Sequence, residues 1–88
     1  MKLIELKQAQ KTALTNLKKR RKQELGFYTF KKDRSVRIKL IDDGGAELIE
    51  HGYAEERTQL DGQNAKRALK RAFSREFLRS HKVYVQEH

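Results

Sequence analysis

Apolar residues fall on a helical stripe at the start of the chain, alternate with polar ones in the middle, and return to helical spacing near the end. Over residues 3–24, Leu3, Leu6, Ala13, Leu14 and Leu17 share one face of a stretch rich in Leu, Ala, Lys, Gln and Glu, which predicts a long amphipathic helix. Lys7, Lys11, Lys18 and Lys22 align along one flank of it, and Gly26, just beyond Leu25, supplies a stop. From Phe27 the period changes to two. Phe27 to Phe30 reads as a short strand, and Val36-Arg37-Ile38-Lys39-Leu40 alternates apolar with basic. Asp42-Asp43-Gly44-Gly45 then predicts a tight hairpin turn, with Ala46 to Ala54 returning antiparallel to residues 35–41. A two-residue turn puts Val36, Ile38 and Leu40 on one face with Ile49, His51 and Tyr53, and leaves Arg37 and Lys39 with Leu48 and Glu50 on the other. Gly52 marks a bulge, and Glu55, Glu56 and Arg57 lead out of the strand.

A second helix is expected from Asp61 or Asn64, either of which suits a cap, to about Ser80. Its apolar stripe is Ala65, Ala68, Leu69, Ala72, Phe73 and Phe77; the alanines allow close approach to a sheet. Lys66 and Lys70 on one side, and Arg67, Arg71, Arg75 and Arg79 at four-residue spacing, ring the remainder. Val83-Tyr84-Val85 is compatible with either a short edge strand or a loose tail. The expected fold is therefore α+β: a long N-terminal amphipathic helix, a three-stranded antiparallel sheet and a second, cationic helix, in the order α-β-β-β-α. No internal repeat, Pro or Ser/Gly-rich linker interrupts the chain. A single small basic domain is expected, with residues 1–25 as N-terminal helix or arm, 26–80 as meander plus helix, and 81–88 as tail.

Composition sharpens this picture. The 88 residues carry 21 Lys+Arg against 12 Asp+Glu, a formal charge of +9, and are only 36% hydrophobic, so the core is thin. The charge is ordered along the chain: residues 1–41 hold 13 bases and 3 acids, residues 42–61 hold 1 and 7, and residues 62–88 hold 7 and 2. Two basic blocks flanking an acidic one predict at least one cationic face, unless the blocks pair internally. No apolar run approaches the length of a membrane span, and the first ten residues already carry charge and Gln, which argues against a membrane segment and a secretory signal. A cytoplasmic location is expected.

Candidate chemistry is sparse. The absence of cysteine removes disulfides, thiolate nucleophiles and zinc-finger sites. His51, His81 and His88 have no His or carboxylate at the helical spacing that builds a metal site, so no metal and no cofactor are expected. Gly44-Gly45 lacks the strand-to-helix context of a phosphate loop, and Asp42-Asp43 reads as a turn former. His51, expected mid-strand and half-buried beside Tyr53, reads as structural rather than catalytic. The expectation is a protein without enzymatic activity.

What remains is cationic surface on three elements: the run Lys18-Lys19-Arg20-Arg21-Lys22, the strand residues Arg37 and Lys39, and the helix row Lys66, Arg67, Lys70 and Arg71. Lys and Arg contacts release the counterions condensed on phosphate backbones, so an ordered basic face is what binding to DNA or RNA requires. A merely solvated helix is the alternative for each charged helical stretch. The segment Gly62-Gln63-Asn64-Ala65-Lys66-Arg67-Ala68-Leu69-Lys70, together with the predicted order of elements, resembles the double-stranded RNA-binding domain and its Gly-x-Ser-Lys-Lys-x-Ala-Lys entry into the second helix. The resemblance implies that Lys66, Arg67 and Lys70 meet phosphates across the RNA major groove. The loop at Lys31 to Ser35 lacks that family's Gly-Pro-x-His pattern.

The expected function is non-catalytic nucleic-acid binding, with duplex RNA ahead of DNA. Three alternatives accompany it. A DNA-binding module of a mobile element or phage regulator would read the major groove with strands, favoured if the face carrying Arg37 and Lys39 lies open. A small basic inhibitor or adaptor would dock on an acidic protein, and the Leu3, Leu6, Ala13, Leu17 stripe could equally join two copies as a homodimer. A small ribonuclease would act through scattered Arg and Lys and His51.

Overall fold

The computed structural model describes residues 2–41, 44–78 and 80–87. Among these the chain runs β1 (Lys2–Glu5), α1 (Leu6–Lys19), β2 (Glu24–Tyr28), β3 (Ser35–Leu40), β4 (Ala46–His51), β5 (Glu56–Leu60), α2 (Ala65–Glu76) and β6 (Lys82–Glu87). The strands form one six-stranded antiparallel sheet in the order β1-β6-β2-β3-β4-β5. The expected three-stranded α-β-β-β-α arrangement is thereby corrected to β-α-β-β-β-β-α-β. Three strands account for the difference. β1 begins the chain where a helix was predicted, and Leu3 lies in it, exposed. β5 forms where the chain was expected to lead out of the sheet. The expected tail becomes β6, which sits between β1 and β2 and pairs with both.

The termini of the helices also differ from expectation, for local reasons. α1 ends at Lys19 rather than near residue 24, because Arg20 turns into the left-handed region (φ 50°) while its N–H still donates to the Asn16 carbonyl. The buried Asn16 side chain then holds the departing chain: its Nδ2 donates to the Lys22 carbonyl at 3.0 Å, and its Oδ1 accepts the Lys22 N–H at 2.9 Å. Gly26 is no helix stop. It lies inside β2, where the Tyr28 side chain lies against it, with the hydroxyl 2.6 Å from where a Cβ would sit. α2 starts at Ala65 and ends at Glu76, short of Ser80. Asp61 caps the turn that leads into it, as expected: its Oδ1 accepts the N–H groups of Gln63 and Asn64, the Asn64 Oδ1 accepts the Asp61 N–H in return, and the Asp61 carbonyl accepts the N–H of Ala65.

The β3–β4 register is the opposite of that predicted. Ile38 pairs with Leu48 and Arg37 with Ile49, and beyond the strands the Ile41 N–H donates to the Gly45 carbonyl. The connection is therefore odd in length, which exchanges the two faces relative to a two-residue turn. Gly44, at φ +95°, supplies its left-handed residue; Asp42 and Asp43 lie outside the described residues.

With this register the buried face carries Ile4, Leu25, Phe27, Val36, Ile38, Leu40, Ala46, Leu48, Leu60, Val83 and Val85. Both helices cover that face, α1 over β1 and β6, α2 over β3, β4 and β5. The buried alanines Ala9, Ala13, Ala68 and Ala72 let the helices approach closely, and Phe73 packs edge-on against both Phe27 (5.2 Å) and Phe77 (5.4 Å). Leu6, Leu14 and Leu17 pack against the same core. The helical stripe once open to a second copy is thus largely used by the chain itself.

Candidate nucleic-acid interface

Lys7, Lys11, Lys18 and Lys19 project from α1, and Lys66, Arg67, Lys70 and Arg71 from α2, all exposed. α1 contains no acid, and the one acid of α2, Glu76, is buried at 1% exposure. Because the helices lie side by side on one face of the sheet, their outer surface forms a layer of eight cations, and neither helix exposes a carboxylate. Among the described residues none of the eight makes an ion pair.

On α2 this charge placement works against the helix that carries it, whereas Lys18 and Lys19 lie in the last turn of α1, where cations are favoured. A helix N-terminus favours anions; Asp61 supplies one ahead of α2, yet the first turn itself has no acid and opens on Lys66 and Arg67. Lys66 and Lys70, and Arg67 and Arg71, repel as like charges one turn apart. Neither arrangement helps the fold. A local cost without a local gain is expected where residues serve a ligand.

The other sequence-predicted cations separate into two groups. Arg20 is a structural residue: its Nη1 donates to the Gly44 and Gly45 carbonyls at 3.1 and 3.2 Å, and its Nη2 donates to that of Ile41 at 2.7 Å, tying the end of α1 to the β3–β4 hairpin. Lys22 lies 3.3 Å from Glu87, whereas Arg21 is exposed near the end of α1. Lys18, Arg20 and Lys66, with Asp61 among them, line a groove of about 490 Å³ floored by Leu14, Leu17, Leu60 and Ala65, so the basic end of α1 and the basic start of α2 are neighbours.

Arg37 and Lys39 are on the opposite side of the sheet, which neither helix covers. That face is open, as strand reading of DNA would need, but its charge is balanced. Arg37 is held by Glu24 at 2.8 Å and Arg57 by Glu47 at 3.4 Å, while Lys39 stands between Glu24 and Glu47 in the cross-strand register. His51 is exposed rather than half-buried and pairs with Glu55 at 2.7 Å; Tyr53 has left the strand for the β4–β5 loop. Arg79 and His88 lie outside the described residues.

Beneath α2 a buried acidic pair fixes the helix to the sheet, and its members were not singled out by sequence. Glu50, 3% exposed on β4, takes the Arg75 guanidinium at 2.7 and 2.9 Å, and Arg75 also reaches Glu56 at 3.1 Å. Burial pushes the Glu50 carboxyl above its usual range, with neighbouring Glu76 adding to the shift and Arg75 opposing it. The paired carboxylates raise Arg75 further above its ordinary value. Glu76 accepts the N–H groups of Tyr53 and Ala54 at 2.8 and 2.9 Å. The only sequence signal for this pair was its position: a Glu on the core face of β4 and a Glu at the end of a basic helix.

Among the described residues no group of three or more His, Asp or Glu side chains could hold a metal ion, and no helix is long and apolar enough to cross a membrane. Compared with protein-family models, with curated proteins and with solved structures, the chain shows no significant match.

Proposed function

We propose that this protein is a non-catalytic nucleic-acid-binding protein whose helix layer grips the phosphate backbone of a duplex. The observation that carries the reading is the eight exposed cations of α1 and α2, on helices that expose no acid of their own and with a placement on α2 that disfavours that helix. A surface of one sign attracts a polyanion and releases its counterions on contact. Lys66, Arg67, Lys70 and Arg71 are the central contacts, with Lys18 and Lys19 at the neighbouring end of α1. Arg in this row offers a planar fork suited to phosphate oxygens. Duplex RNA is the favoured ligand on the likeness of the Gly62 to Lys70 segment to the entry of the RNA-binding helix. The ion-paired open face gives Arg37 and Lys39 a lesser part.

Reversal of three charges tests this. The Lys66→Glu, Arg67→Glu, Lys70→Glu variant is expected to lose binding to duplex RNA while its circular dichroism spectrum is unchanged, whereas Arg37→Glu with Lys39→Glu weakens binding only slightly. The opposite ranking would transfer the reading to strands in a DNA groove.

A further inference from the structure

Phe30, Tyr53 and Leu78 are 74%, 72% and 76% exposed, more than any other large apolar side chain among the described residues. They are not scattered. All three line one groove of about 920 Å³ between the β2–β3 loop, the β4–β5 loop and the C-terminal end of α2. Isolated exposed apolar residues need no explanation, but a cluster rimmed by charge marks a binding surface.

The groove is held in shape. Thr29 closes the β2–β3 loop, its N–H donating to the Arg34 carbonyl at 3.1 Å and its hydroxyl donating to Asp33 at 2.8 Å. The two bonds from Tyr53 and Ala54 to Glu76 anchor the β4–β5 loop, and Gly52, at φ +133°, passes so close to Arg34 and Glu76 that a Cβ would lie 2.6 and 2.7 Å from them. The Tyr53 ring is thus presented outward on a fixed backbone, with the Arg34 guanidinium 5.7 Å from its centroid.

The charge at the rim identifies the occupant. Lys31, Arg34 and Arg71 contribute cations and outnumber the one exposed lining carboxylate, Asp33, which the Thr29 hydroxyl keeps ionised; Glu76 is buried on two backbone N–H groups. Arg71 also belongs to the α2 row, so the groove continues the helix layer. An aromatic ring beside cations, at the end of a phosphate-binding surface, matches an unpaired nucleotide: the base stacks on the ring and its phosphates meet the cations.

We infer that this groove takes the single-stranded overhang of the duplex bound along α2, with a base stacked on Tyr53. The inference rests on the duplex reading above and adds a ligand feature to it, a junction between paired and unpaired strands. Stacking of this kind is sequence-tolerant, because every base has a π-face.

The test compares blunt duplexes with duplexes bearing a four-nucleotide overhang at the 5′ or the 3′ end, with the fluorescent base 2-aminopurine in the overhang. One of the overhangs is expected to tighten binding by about tenfold and to have its 2-aminopurine quenched. Tyr53→Ala removes both effects and Tyr53→Phe keeps them; neither touches the fold, since the ring is exposed. Equal affinity for blunt and overhanging duplexes, or an advantage that survives in Tyr53→Ala, overturns the inference while leaving duplex binding intact, and makes the groove a peptide-docking surface instead. Failure of the underlying reading has a different signature: the Lys66, Arg67, Lys70 charge reversal would then leave binding to the blunt duplex unaltered.

Discussion

Glu50, Arg75 and Glu76 show how single residues fix this molecule. Glu50 is charged only at the cost of losing water, and Arg75 offsets that cost. Its folded-state pKa is raised above the unfolded value, so Glu50 contributes stability below the ordinary carboxylate range and loses that contribution as pH rises through the folded pKa. Removing Arg75 raises the Glu50 pKa further. Arg75→Met should therefore lower the melting temperature most at neutral pH, and the deficit should narrow as the pH falls to 4.5 and Glu50 protonates; a pH-independent deficit would show that packing alone explains it. Glu76→Ala should cost about 1–3 kcal/mol in denaturant unfolding, because the Tyr53 and Ala54 N–H groups lose their acceptor. Such roles were not legible in the sequence. The partners of Glu76 are more than 20 residues away, as are those of Arg20, and no local pattern announces them. Arg20 illustrates the point: within a polybasic run it reads as one more ligand-facing charge, yet its guanidinium is bound to three backbone carbonyls.

At the scale of elements, α2 was the most legible, since its apolar stripe repeats over several turns and the buried residues Ala68, Leu69, Ala72, Phe73 and Phe77 are those the period selects. β1 and β5 were not. Each is an edge strand with one buried apolar residue, Ile4 and Leu60 respectively, too few to establish alternation. The β3–β4 faces were exchanged because parity of the connection, rather than the strands' own pattern, decides register. The charge on α2 carries a prediction that opposes ordinary expectation. Lys66→Glu with Arg67→Glu places acids in the first turn and converts two repulsive one-turn pairs, with Lys70 and Arg71, into attractive ones. The double variant should melt about 4–8 °C higher than the parent while binding duplexes more weakly. An unchanged or lower melting temperature would remove the argument that these cations are kept at the helix's expense.

For the whole molecule, the ends of the chain are structural. β6 lies between β1 and β2, and its Val83 and Val85 are buried, so the segment that reads as a tail joins the N-terminal strand to the rest of the sheet. Truncation after Ser80 should abolish cooperative thermal unfolding; a normal melt would mean that β2 to β5 and the helices stand alone. The complete sheet also separates the two surfaces: an open face whose cations are balanced by carboxylates, and a helix layer whose cations are not. The measurement that tests this account most directly is a salt titration of binding to matched duplex RNA, duplex DNA and single strands, by the parent and by the Lys66, Arg67, Lys70 charge-reversed variant. The account predicts a steep fall of log affinity with log salt for duplexes, with RNA ranked first, and a slope shallower by about 3 in the variant. Weak, salt-insensitive binding to every nucleic acid, or an identical slope in the variant, would contradict it.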